Sequence, residues 1–282
     1  MQDTRLENAY CHCEQLVHRH YENFPVASRF LPPRLRRPIA VIYAFARTAD
    51  DLADEGNATA QQRLQQLEAY GRQLDQGASD EPIFIALAHV RQQYDLPLSL
   101  FHDLLHAFKM DVTNKRYANF SQVLHYCQYS ANPVGRLLLY LNRCVTPQAL
   151  QYSDAICTAL QLINFYQDLA QDYMENGRIY IPEDEMQRFG VTEQHFQTLN
   201  SDRAMQDLMA LQVQRARDML LSGQQLGTIL TGRMGFELRL IIAGGLCICD
   251  KLTNNNGNVF ARPRLTKTDW LNMFWYALRR TF

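Results

Sequence analysis

No apolar stretch in this 282-residue chain is long enough to span a membrane. The longest run, around Leu240 to Ile248, is about half of the 18 or more residues that a transmembrane helix requires. The opening residues, Met1-Gln-Asp-Thr-Arg-Leu-Glu, are polar and hold no signal-peptide core. Charge of either sign is not in excess: the formal net charge is -1, which removes the electrostatic reason to expect nucleic acid as a partner. The seven cysteines are odd in number and irregularly spaced, which argues against a disulfide framework and suits reduced thiols in a cytoplasmic protein. Cys11-His12-Cys13 and Cys247-Ile-Cys249 lack a second ligand pair at zinc spacing, and no Glu follows His102 in the His102/His106 pair, so the metalloprotease pattern is missing. No Gly-x-Gly-x-x-Gly or Walker pattern follows a strand, which leaves a nicotinamide-binding unit without support. Alternating strand patterns are scarce as well, so the fold class is all-α.

What the chain does have is a pair of acidic stretches. Tyr43-Ala-Phe-Ala-Arg47-Thr-Ala-Asp50-Asp51-Leu-Ala-Asp54-Glu55 is answered by Gln161-Leu-Ile-Asn164-Phe-Tyr-Gln167-Asp168-Leu-Ala-Gln-Asp172. At about 100° per residue, Asp50 and Asp54 fall about 40° apart on one helix face, as do Asp168 and Asp172. Tyr43 and Arg47 share the first sector, beside the apolar stripe Ile39, Ile42, Ala46 and Ala49. Gln161 and Asn164 share the second, flanked by Leu162, Phe165, Leu169 and Tyr173. The carboxylates are therefore expected to point inward, where an ionised group without a partner costs several kcal/mol. Hard oxygen donors at this spacing suit Mg²⁺, which takes its remaining ligands from water and substrate phosphates. The expectation is two helices facing each other across a cleft and holding a diphosphate through magnesium, with Arg47 on a diphosphate oxygen. A carbocation formed by loss of that diphosphate would need an aromatic shelter, for which Tyr43, Phe24, Tyr126 and Phe165 are placed beside the motifs.

Read in order, the chain predicts helices over 3–22, from Pro32-Pro33 to a cap at Gly56, and over 60–75, 81–93 and 97–112. A long helix kinked by Pro133 is predicted over 120–142, and the second acidic helix over 151–174. Asn176-Gly177 ends that helix, Arg178-Ile-Tyr180-Ile-Pro182 is an extended link, and further helices are predicted at 183–188, 193–198, 201–222, 226–251 and 267–280. The Asn-rich stretch from Asn254 to Asn258, ended by Arg262-Pro263-Arg264, reads as a surface connection, the other reading being a loop over a site. The last helix, Trp270 to Arg280, is aromatic with a basic end. It is expected to pack against the bundle, the other reading being peripheral contact with a membrane surface.

Ordered along most of the chain, His20-Tyr-Glu-Asn-Phe24, Tyr43 with Arg47, Asp50-Asp51-x-x-Asp54, Asp111 with Arg116-Tyr117, Tyr126-Cys127, Val134-Gly135 and Gln161-x-x-Asn164-x-x-x-Asp168-x-x-x-Asp172 with Arg178-Ile-Tyr180 resemble the squalene/phytoene synthase family of head-to-head prenyl synthases. The resemblance implies one isoprenoid-synthase helical domain over 1–282 with a central cavity. It implies that Asp50, Asp54, Asp168 and Asp172 bind magnesium diphosphate with help from Asn164, that His20, Arg47 and Arg178 contact the diphosphate, and that Tyr43 and Tyr126 line the cavity. The stretches 20–28, 49–56 and 164–168 are similar to the bacterial hopanoid-pathway branch, whose members convert presqualene diphosphate to hydroxysqualene by ionisation and water capture. Gln167 stands where most relatives carry Arg, and Tyr21 and Asn23 where condensing relatives often carry serines. Gln167 thus removes a cation that a second diphosphate would need, and Tyr21, Asn23 or Gln167 could orient the water. On this reading the enzyme is cytoplasmic or peripheral to the inner membrane and acts beside a presqualene diphosphate synthase. The rivals are condensation of two prenyl diphosphates and a non-catalytic helical assembly factor of the same fold.

Overall fold

The computed structural model describes residues 2–19, 31–77 and 80–278, so His20, Tyr21, Asn23 and Phe24 lie outside the described residues. Every regular element among the described residues is an α-helix. The chain divides into two compact units, Met1–Thr113 with Pro133–Thr146, and Asn114–Asn132 with Pro147–Phe282.

The first unit contains α1 (Gln2–Arg19), α2 (Pro33–Asp54), α3 (Ala60–Gln76), α4 (Pro82–Tyr94) and α5 (Leu98–Thr113). α2 is central: it packs on α1, α3, α4 and α5 and buries Ile39, Ile42, Phe45, Ala49 and Ala53. Phe45 meets Tyr70 in a stacked pair at 5.1 Å and Phe101 edge-on at 5.2 Å. Pro38 lies inside α2 and has no N–H to give the carbonyl of Arg34, so that oxygen instead accepts from the Tyr94 hydroxyl at 3.4 Å. Gly56, in the left-handed region at φ 75°, turns the chain away just after the helix, as its position predicts.

α6 (Phe120–Ser130) belongs to the second unit, and all but the first residue of α7 (Asn132–Leu141) to the first. The predicted single helix with a proline kink is therefore two helices. They separate at Ala131 (φ -117°, ψ -47°), and Pro133 falls in the first turn of α7, where its missing N–H costs nothing.

The second unit continues with α8 (Pro147–Gln167), α9 (Leu169–Asn176), α10 (Glu183–Phe189), α11 (Glu193–Thr198), α12 (Arg203–Ser222), α13 (Leu226–Ile229), α14 (Gly232–Thr253) and α15 (Lys267–Leu278). α8, α12 and α14 form its core. α14 comes close to both others because Gly245 carries no side chain: a methyl group there would meet Leu220 at 2.8 Å and Leu160 at 3.0 Å. The helix predicted over 226–251 is interrupted, since Gly232 adopts φ 64° and restarts the chain as α14. α15 packs on α14 through Met273 and Ala277, as expected, while Trp270, Leu271, Phe274, Trp275 and Leu278 remain exposed. Among the described residues, no helix is long and apolar enough to cross a membrane.

Candidate active site

The first acidic motif occupies the last turns of α2. Arg47 Nη1 donates to Asp50 Oδ2 at 3.1 Å, and Nη2 reaches Asp51 Oδ1 at 2.6 Å and Glu55 Oε1 at 2.7 Å. Spacings of three and four residues place Asp50 and Asp51 beside the guanidinium on one helix, and Glu55 meets it from the cap just past the helix end. Burial acts to lower the Arg47 pKa, but the charges of Asp50, Asp51 and Glu55 outweigh it and leave it raised. Arg47 is thus an internal counter-ion, and a diphosphate would have to share it with three carboxylates. The expectation that both aspartates point inward is corrected: Asp50 is half-buried and Asp54 exposed. Each lies about 100° round the helix from an alanine, Ala49 or Ala53, that takes the core-facing position instead. Tyr43 is half-buried one turn before Arg47.

The second motif lies where α8 gives way to α9. Asp168 sits at the break with φ -105° and ψ 17°, in the sparsely allowed bridge region. The i to i-4 pattern still crosses it: Asp168 N–H donates to Asn164 O at 2.9 Å and Asp172 N–H to Asp168 O at 2.8 Å. Asp168 and Asp172 therefore stay one turn apart, as the spacing predicts, and both are partly buried. Burial raises the Asp168 pKa above the ordinary carboxylate value, against the hydrogen bond and charge of Arg262 and the charge of Arg264. Asp172 is pushed up to about 7, first by burial and next by the Asp168 charge, with Arg178 opposing. The Arg178 N–H also donates to Asp172 O at 3.0 Å. Gln161 and Asn164 are half-buried on α8.

Two hard-oxygen donors one turn apart, both held above their ordinary pKa chiefly by burial, form a donor set that suits a small divalent cation such as Mg²⁺. Among the described residues, no three His, Cys, Asp or Glu side chains gather to hold a metal alone. The remaining ligands of such an ion would be water and phosphate oxygens, the usual arrangement for magnesium.

Tyr126 and Phe165 are brought together, at 6.0 Å between ring centroids, within a cluster that includes Tyr117 and Tyr180. Phe165 and Tyr180 are parallel and 3.7 Å apart. All four rings are buried, and the cluster joins α6, α8 and the extended link. Tyr117 and Tyr180 stand in motifs that the sequence displays, but nothing in their spacing shows that the rings meet.

The segment after α14 corrects a second expectation. It is no bare surface connection: Arg262 Nη2 donates to Asp168 Oδ2 at 3.0 Å, its Nε lies 2.5 Å from Oδ1, and Gln167 Nε2 donates to Pro263 O at 2.6 Å. Arg262 is the site residue that sequence reasoning missed. Two arginines around a proline, with no acid nearby at helical spacing, were the available signal.

These features agree with comparisons to known proteins. The family model described as squalene/phytoene synthase matches residues 17–270, across both units. A hydroxysqualene synthase from Zymomonas mobilis is 42% identical over 61% of this chain, a match spanning only 58% of that protein. One from Rhodopseudomonas palustris is 35% identical over 79% of this chain and 76% of its own length. The crystal structure of squalene synthase HpnC from Alicyclobacillus acidocaldarius superposes with a TM-score of 0.83 at 33% identity, covering 90% of this chain and 96% of that one. A dehydrosqualene synthase in complex with ligand, 22% identical, shares the fold with a TM-score of 0.82 over 99% and 98% of the two chains. With its helical fold, its paired aspartate motifs and these matches, the chain belongs to the squalene/phytoene synthase family.

Proposed function

We propose that the enzyme converts presqualene diphosphate and water to hydroxysqualene and diphosphate. The observation that carries this reading is the partly buried Asp168/Asp172 pair, whose carboxyl pKa values burial raises, just beyond the helix that supplies Phe165 to the aromatic cluster. Asp50, Asp54, Asp168 and Asp172 are the proposed metal ligands, with Asn164 assisting, and His20, Phe24, Arg47, Gln161 and Arg178 as substrate contacts. Magnesium, when bound, would supply the positive charge that lets the C–O bond break with its electron pair leaving on the diphosphate. The π-systems of Tyr126, Phe165 and Tyr180 would supply electron density that stabilises the resulting cation. Water then forms the new C–O bond and loses a proton. The names of the Zymomonas and Rhodopseudomonas relatives support this branch, and the neutral amide of Gln167 suits a substrate with one diphosphate.

The test offers the purified protein presqualene diphosphate or farnesyl diphosphate, with magnesium and no nicotinamide. Hydroxysqualene from the first and nothing from the second is expected. Presqualene diphosphate made from farnesyl diphosphate would move the enzyme to the condensing branch, and activity in excess chelator would overturn the metal reading. The proposal includes supply of the substrate by a neighbouring condensing synthase. It also includes a cytoplasmic enzyme touching the membrane through the exposed face of α15, where Trp270, Leu271, Phe274 and Trp275 suit a lipid interface and Lys267 anionic headgroups. Trp275→Ser should then lower sedimentation with anionic vesicles, and unchanged sedimentation would remove the membrane contact.

A further inference from the structure

Gln167 is the last residue of α8, next to Asp168, and only 7% of its surface is exposed. A buried amide must use its donors, and this one spends an N–H on a backbone oxygen 96 residues away, that of Pro263. Pro263 narrows the local freedom: its ring fixes φ and holds the preceding residue to extended conformations, so a bond to its carbonyl limits where that residue can stand. That residue is Arg262, whose guanidinium lies on the Asp168 carboxylate through both Nη2 and Nε. Elsewhere the segment is secured at its two ends. Upstream, Val259 N–H donates to Ser201 Oγ at 3.0 Å and the Phe260 ring meets Phe196 edge-on at 5.7 Å. Downstream, Leu265 packs on the α14–α15 core and Thr266 N–H donates to Asp269 Oδ2 at 2.6 Å. The Gln167 bond falls midway between these anchors.

We propose that Gln167 is a positioning residue: by gripping the Pro263 carbonyl it sets Arg262 on Asp168, so that a cation distant in sequence covers this carboxylate. Where a charged side chain at 167 would put its own positive charge beside Asp168, the neutral amide directs a borrowed one, which can be exchanged for another cation without moving α8. A glutamate at 167 would set two acceptors against each other at Pro263, and an asparagine is one methylene too short. The grip follows from the hydrogen bonds alone, and its use in exchanging Arg262 for a metal rests on the proposed role of Asp168.

Two measurements on the full chain test it. Hydrogen exchange is followed over 259–266 in the parent and in Gln167→Met, which keeps the length and loses the donor. Exchange there should rise about five- to tenfold, the worth of one hydrogen bond, with α8 and α12 unchanged. Unchanged exchange over 259–266 overturns the proposal. Mn²⁺ binding to the substrate-free protein, read by electron paramagnetic resonance, is then compared in Gln167→Met, Arg262→Ala and the double variant. Each single change should tighten Mn²⁺ several-fold by uncovering Asp168, and the double variant should match Arg262→Ala, because Gln167 acts through Arg262. Additive effects would refute that route. Asp168→Asn is the control: if it leaves Mn²⁺ affinity unchanged, the metal reading of Asp168 fails, and the exchange result alone decides the grip.

Discussion

The acidic motif of α2 and the acidic motif at the α8–α9 junction share one spacing and are neutralised in opposite ways. In α2 the counter-charge is local: Arg47 precedes its acids by three, four and eight residues, and the group ends in exposed Asp54 and Glu55. At the junction the acids are more deeply placed and their cations come from elsewhere, Arg178 from the link and Arg262 from 94 residues downstream. The first motif carries its own counter-ion and stays near water, whereas the second is buried, and burial first and the Asp168 charge next push Asp172 up to about 7. A spacing pattern thus reports where carboxylates stand along a helix, but the need for a cation depends on what the rest of the fold places beside them.

The largest expected effect ignores this difference. Asp50→Asn and Asp168→Asn should each cut kcat/KM by about a hundredfold or more while circular dichroism stays helical, since both pairs are proposed to hold the leaving diphosphate. Near-normal turnover in either variant would remove that pair from the site. The next effect separates the motifs through pH. Because the Asp172 pKa is raised in the folded state, the unfolded chain releases that proton first, and stability falls as pH rises from about 4 to about 7. In chelator, Asp172→Asn should therefore gain thermal stability over the parent across that window and hold the gain above it. A constant difference at all pH values would show that burial does not raise the Asp172 pKa. The smallest effect concerns salt. A double-mutant cycle on Arg47 and Asp51 should give a coupling of about 0.2–1 kcal/mol that shrinks in 0.5 M salt. The Arg262–Asp168 cycle should keep more of its coupling, because the Asp168 side chain is 19% exposed against 34% for Asp51. Equal salt sensitivity would erase the contrast.

The helices were largely legible, because periodicity, prolines and capping residues act locally: Pro33 and Gly56 bracket α2 in both the reading and the structure. The misreadings fall where local signals conflict. Pro133 and Gly232 were embedded in strong helical patterns, and each proved to begin a new helix. The aspartates and their spacing were equally plain. What could not be read was contact across the chain: the meeting of Tyr117, Tyr126, Phe165 and Tyr180, and the docking of Arg262 on Asp168, are products of tertiary packing. Gln167 shows the same limit, since its neutral amide is plain in the sequence while its bond to Pro263 exists only in the fold.

One buried arginine bears on how α15 could meet a lipid surface. Arg239 of α14 donates through Nε to Ala277 O at 2.8 Å and through Nη1 to Gly227 O, so the last turn of α15 and the single turn of α13 close on one guanidinium. Lifting α15 away would break the Nε bond to Ala277 O and take a carbonyl from a buried guanidinium, a cost that a flexible tether never meets. The helix is therefore welded rather than hinged. An enzyme standing on a bilayer through Trp270 and Trp275 would keep one fixed heading, and its second unit would always present the same side to the lipid.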